Sequence, residues 1–144
     1  MIETPKLWRI IWTDYTAFMA FLLPVVFGGI YIVLRLTGDG SGDSFVYLAL
    51  AIGVAAVVLL AWRLQTITSV FREGVELPAV VSGVGFFRDR GTIACIYTFH
   101  GQKYESANTV HKAGRVKSFV QGRNVTALVN TANPKAAFIK ELYL

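Results

Sequence analysis

Residues 15–34 read YTAFMAFLLPVVFGGIYIVL and residues 44–62 read SFVYLALAIGVAAVVLLAW. Asp14 and Arg35 bracket 20 uncharged residues, and Asp43 and Arg63 bracket another 19. A helix needs roughly 20 apolar residues to cross the hydrocarbon core of a bilayer, so both runs are long enough. Eleven residues of the first run are Leu, Ile, Val or Phe. Each favours insertion by about 0.3–0.6 kcal/mol near the helix centre, a sum that outweighs the penalties of Pro24, Gly28 and Gly29. The rival reading, a cleaved signal peptide, needs a shorter apolar core of about 7–15 residues and a small-residue cleavage site. Here the run is longer and no such site follows it.

Working outward, residues 35–43 form a short glycine-rich link, which makes the two spans antiparallel neighbours. Residues 1–14 read as an interfacial segment, with Trp8 and Trp12 one helical turn apart as an aromatic anchor at headgroup depth. Residues 65–78 read as a helical linker stopped by Gly74 and Pro78. The chain is 54% hydrophobic but only 16% charged, and the charge deficit is confined to the two spans. Lys6, Arg9, Arg63 and Arg72 flank one side of the hairpin and Arg35 the other. The positive-inside rule then places both termini in the cytoplasm of a multi-pass protein of the bacterial inner membrane.

Each span carries small residues at helical spacing: Ala20, Pro24 and Gly28 in the first, Ala49, Gly53 and Ala56 in the second. Small residues let membrane helices approach closely. These strips either pack the hairpin against itself or present one face to a partner's helix. Neither span contains an ionisable residue, the usual mark of an ion or proton pathway.

From residue 79 the periodicity changes to two. Residues 79–87 read as a strand broken by Gly83 and Gly85, with a bulge or bend. The segment 88–91 reads as a turn, followed by an alternating strand that puts Ile93, Cys95, Tyr97 and Phe99 on one face. His100-Gly101 turns the chain into a strand at 102–106. Further strands are expected at 124–130 and 136–142, separated by a turn at 131–134. Residues 108–122 are less regular, and Val116, Phe119 and Val120 suggest a short extra strand. Five or six short strands in the last 66 residues predict a cytoplasmic β barrel or sandwich over 79–144. The fold class is therefore membrane α plus β, a two-helix transmembrane hairpin followed by a small β domain. A domain of that size is close to the lower limit for independent folding, so it is expected to lean on the hairpin, the membrane or another protein.

The chain resembles the DUF3592 group of bacterial membrane proteins, a family of unknown function. The resemblance rests on AVVS at 79–82, IYTF at 96–99 with His100, Gly101 and Tyr104, Gly122 and Val125 with ALVN at 127–130, and Asn133, Pro134 and Ala137. It implies a paired-helix membrane protein with a β domain, and it supplies no site residues.

No catalytic constellation is recognisable. His100 and His111 lack the converging Cys, His or carboxylate partners of a metal site, and Cys95 is the only cysteine. No serine has a histidine partner or a G-x-S-x-G elbow. Ser82 to Gly85 is neither a phosphate loop nor a dinucleotide fingerprint. No cofactor and no enzymatic activity are expected. From Arg63 onward there are 11 Lys and Arg against 5 Asp and Glu. Lys112, Arg115, Lys117 and Arg123 lie close together in sequence and form the one functional-looking patch. It suits a solvated or lipid-facing loop first, an acidic protein partner second and nucleic acid last, because no aromatic stacking platform accompanies it. The leading reading is a non-enzymatic accessory or scaffold subunit docked on a larger membrane complex. The runner-up is a membrane-tethered sensor or adaptor whose β domain binds a ligand or anionic lipid.

Overall fold

A computed structural model describes residues 4–38 and 42–144, so residues 39–41 of the interhelical link lie outside the described residues. A short helix α1 (Leu7–Thr13) precedes α2 (Tyr15–Leu36) and the long α3 (Gly42–Glu73). α2 and α3 are both long and apolar enough to cross a membrane. Only 11% of the most apolar stretch of α2 and 6% of that of α3 are buried. Core helices of a water-soluble fold would bury that surface.

Five strands follow: β1 (Val75–Phe87), β2 (Arg90–Phe99), β3 (Gln102–His111), β4 (Asn124–Asn130) and β5 (Asn133–Ile139). They form one antiparallel sheet in the order β3-β2-β1-β4-β5. The sheet curls into a nearly closed barrel whose outer strands, β3 and β5, are bridged by side chains. Ser106 Oγ donates to Ala137 O (3.0 Å) and accepts from Ala137 N (3.2 Å), and Asn108 Nδ2 donates to the same carbonyl (3.3 Å). Ser106→Ala leaves the buried Ala137 N–H without its partner, so it is expected to destabilise the chain by about 1–3 kcal/mol. Thermal unfolding in detergent would measure that loss.

Several strand limits differ from the sequence expectation, each for a physical reason. β1 begins at Val75 rather than at residue 79, with Pro78 inside it opposite Thr126. Thr126 N donates to Glu141 Oε1 (2.8 Å), away from β1. In an antiparallel pair Pro78 must then direct its nitrogen away from β4, and pairing with β2 starts only at Ala79. The missing N–H thus interrupts no ladder. β3 extends past 106 to His111, so His111 ends a strand instead of lying in a loop. Ser106 and Asn108 mask the alternation because both are polar residues turned inward. Asn133 and Pro134 belong to β5, and the turn contracts to Thr131-Ala132, where Asn130 Oδ1 accepts from Ala132 N (2.9 Å). β5 ends at Ile139 and the chain closes in a helical turn, α4 (Lys140–Tyr143). The extra strand is instead a 3-10 turn at Val116–Ser118, with Val116 and Phe119 buried and Val120 exposed.

Other features agree with the sequence. The β1 bulge falls between Val81 and Gly83. His100 and Gly101 both take positive φ (49° and 79°), the geometry of a tight two-residue hairpin turn. Gly74 ends α3 where a Cβ would collide with the carbonyl oxygen of Val70 and approach that of Val129 at 3.1 Å. Only glycine lets α3 pass directly into β1. Inside the barrel, Val81, Ile93, Cys95, Tyr97, Val110, Val129 and Ile139 form the centre of a core that continues into Ile67, Val70 and Phe71 of α3. The β domain and the end of the hairpin therefore share one core.

Candidate functional site

Asp14 sits between α1 and α2 with non-helical backbone (φ −79°, ψ 120°) and caps α2 by accepting from Ala17 N (2.9 Å). It is fully buried. Arg63, from α3, reaches it with Nη2 (2.6 Å to Oδ2) and Nε (3.1 Å to Oδ1). Tyr143 OH, from α4, donates to Oδ2 (3.3 Å). The guanidinium lies 5.3 Å from the centre of the Phe138 ring, and Tyr143 packs edge-on against Phe71 and Phe138. Four donors from three helices thus converge on one carboxylate. A backbone bridge between Asp14 and Val110 adds the end of β3. The charge also favours the N-terminal end of the α2 dipole.

This junction ties the hairpin to the β domain. The antiparallel arrangement of the two apolar helices explains half of it, since Asp14 and Arg63 are the first charges beyond them at the same end. Their positions flanking the two runs were the available signal; Tyr143 carried none. Burial first, then the Asp14 charge, pushes the Tyr143 phenol well up, so it remains a donor at neutral pH. Because the folded pKa is raised, the associated stability is complete below the ordinary value of about 10 and is lost as pH rises through the folded value. Tyr143→Phe removes one hydrogen bond to a buried charge and is expected to cost about 1.5–3 kcal/mol. Comparing the thermal unfolding of the two proteins at pH 7 checks this.

The small-residue strips divide between two environments. Ala20 and Ala56 are buried in the hairpin. Pro24, Gly28, Ala49 and Gly53 instead line an open apolar groove of about 490 Å³ between α2 and α3, together with Tyr31 and Val57. A Cβ added at Gly28 or Gly53 would meet nothing within 4 Å. Nearer the link the helices meet again, with the Phe27 and Phe45 rings stacked at 6.0 Å between centroids.

The four basic residues have different surroundings. Arg115 Nη1 donates to Leu144 O (3.0 Å), and Arg123 Nη1 donates to Ser118 O (3.1 Å) while lying 4.7 Å from the Phe119 ring centre. Both brace the segment between β3 and β4. Lys117 is exposed on the 3-10 turn. Lys112 lies against the β1–β2 hairpin, its Nζ 5.6 Å from the Phe86 ring centre. No group of three or more His, Cys, Asp or Glu that would hold a metal occurs among the described residues. A second concavity, on the outer face of the barrel, is lined by Val80, Ser82, Ile96, Thr98 and Lys103, with Ser82 Oγ engaged by Glu105 (2.7 Å).

No family model, curated protein or solved structure matches this chain.

Proposed function

We propose that this chain is a non-enzymatic accessory or scaffold subunit of a larger integral membrane complex. Its two apolar helices cross the bacterial inner membrane as a hairpin, with both termini and a DUF3592-like β domain in the cytoplasm. The exposure of both apolar helices supports the crossing, because lipid is the solvent that such faces require. Lys6, Arg9 and Arg72 at the β-domain end, against Arg35 at the other, support the orientation.

The open groove carries the assembly reading. Lipid tails are as apolar as leucine, so helices in a bilayer associate through close packing over small residues. Pro24, Gly28, Ala49 and Gly53 supply such a surface, and the hairpin itself leaves it uncovered. Its occupant in this reading is one transmembrane helix of the partner. The shared core and the Asp14 junction hold the β domain in a set position beside that helix, as a scaffold requires. Gentle detergent extraction, native sizing and mass spectrometry of the native complex test the proposal. It predicts a defined heteromeric assembly; a chain that runs alone or only with itself overturns it.

A further inference from the structure

The tip of the β1–β2 hairpin combines exposed aromatic rings with cations. Phe86 is 37% and Phe87 68% exposed. Arg88 takes a left-handed backbone (φ 55°), and its guanidinium lies 5.3 Å from the Phe87 ring centre. Lys112 lies against Phe86, and its backbone N–H donates to Asp89 O (2.8 Å), joining the end of β3 to the tip. Arg88, Arg90 and Lys112 there face a single acid, Asp89.

The fold also sets the depth of this tip. Arg90 Cζ lies 6.0 Å from the ring centre of Tyr15, the first residue of α2. Arg90 pairs with His111, which stacks on Phe18, one turn further along α2 (ring centroids 4.2 Å apart). The His111 ring centroid also lies 6.4 Å from that of Trp12, so the tip sits beside the first turn of α2, where the apolar run begins. Trp8 and Trp12 of α1 are exposed at the same end of the hairpin.

We infer that the Phe86–Arg90 tip is a wedge that seats the β domain on the membrane surface, with Phe86 and Phe87 in the interfacial layer and Arg88, Arg90 and Lys112 on anionic phospholipid headgroups. This rests on the reading that α2 and α3 cross the bilayer. Charge complementarity selects the occupant: cations beside a bilayer attract acidic lipid, and aromatic rings favour headgroup depth. Of the four basic residues singled out in the sequence, only Lys112 belongs to this surface. The tip is a lipid contact in addition to the groove and leaves the groove free for a partner.

The test uses the full chain with an environment-sensitive dye on Phe87→Cys. Cys95 does not compete for label, because it is fully buried and burial raises its thiol to a pKa of about 11. Reference dyes go on Ala55→Cys in the apolar part of α3 and on His100→Cys at the β2–β3 turn. All three are placed in nanodiscs containing nitroxide-labelled lipid, with or without phosphatidylglycerol in phosphatidylcholine. The proposal predicts a blue-shifted dye at position 87, quenched by interfacial nitroxide, while the dye at 100 remains water-like. Omitting phosphatidylglycerol, or introducing Arg88→Glu with Lys112→Glu, should remove that quenching. A water-like dye at 87 beside a quenched dye at 55 overturns the wedge and leaves the hairpin standing. A blue shift without lipid quenching means protein cover, and equal quenching in both lipids means no anionic preference; either overturns the proposal. An unquenched dye at 55 overturns the membrane crossing and the wedge together.

Discussion

Asp14→Ala is expected to be the most damaging single substitution in the chain, costing about 3–5 kcal/mol. It strands the Arg63 guanidinium, only 20% exposed, against the Phe138 ring without its counter-charge, and breaking one partner of a buried pair costs this much. It also removes the α2 cap, worth about 1 kcal/mol. For a chain of this size a 3 kcal/mol loss lowers the unfolding midpoint by roughly 10 °C. Thermal unfolding in a mild detergent measures it, and limited proteolysis near Gly74 should show the β domain released from the hairpin. Asp14→Asn keeps an oxygen for Ala17 N and should lose less. Replacing both partners, Asp14→Leu with Arg63→Met, should recover part of the loss, because two apolar groups leave no orphaned charge. Wild-type stability in Asp14→Ala would mean that the junction does not hold the two parts together.

If the groove seats a partner helix as proposed, Gly53→Leu combined with Gly28→Leu is expected to weaken that assembly strongly while leaving the chain folded. Nothing lies within 4 Å of a Cβ at either site, so the added side chains project into the groove instead of into the hairpin. Loss of a central packing position typically weakens an interface by about 2 kcal/mol, roughly 30-fold in affinity. The complementary pair, Ala20→Leu and Ala56→Leu, meets the buried seam and should destabilise the hairpin itself by about 1–3 kcal/mol through overpacking. Native sizing separates the two classes: the first yields a folded chain without partner, the second a less stable chain. An unchanged complex in the first pair would remove the groove from the interface.

The helices were legible because an uncharged run of membrane length has few other readings. The expected 15–34 became Tyr15–Leu36, and the expected 44–62 with its helical continuation became Gly42–Glu73. Strand order in the β domain had no sequence signal, and strand limits failed where a residue's partner lay far along the chain. Pro78 looks like a stop until its nitrogen is seen to face an unpaired stretch. Ser106 and Asn108 look like loop residues until Ala137 is seen beside them. The junction was half legible for the same reason. Asp14 and Arg63 were visible as flanking charges, but their burial depends on Tyr143 and Phe138, at the other end of the chain. The basic residues read as one patch divided once their neighbours were known: Arg115 and Arg123 brace a loop, and Lys112 joins a surface centred on Phe86 and Phe87.

The most direct test of the scaffold reading places a benzophenone side chain at Gly53 in living cells, with Ala55, two residues along α3 and so on the opposite face, as the control. Irradiation should yield one discrete heteromeric adduct from position 53, on a transmembrane segment of a single partner, and none of that adduct from position 55. Lipid adducts alone, dimers of this chain, or the same products from both positions would contradict it.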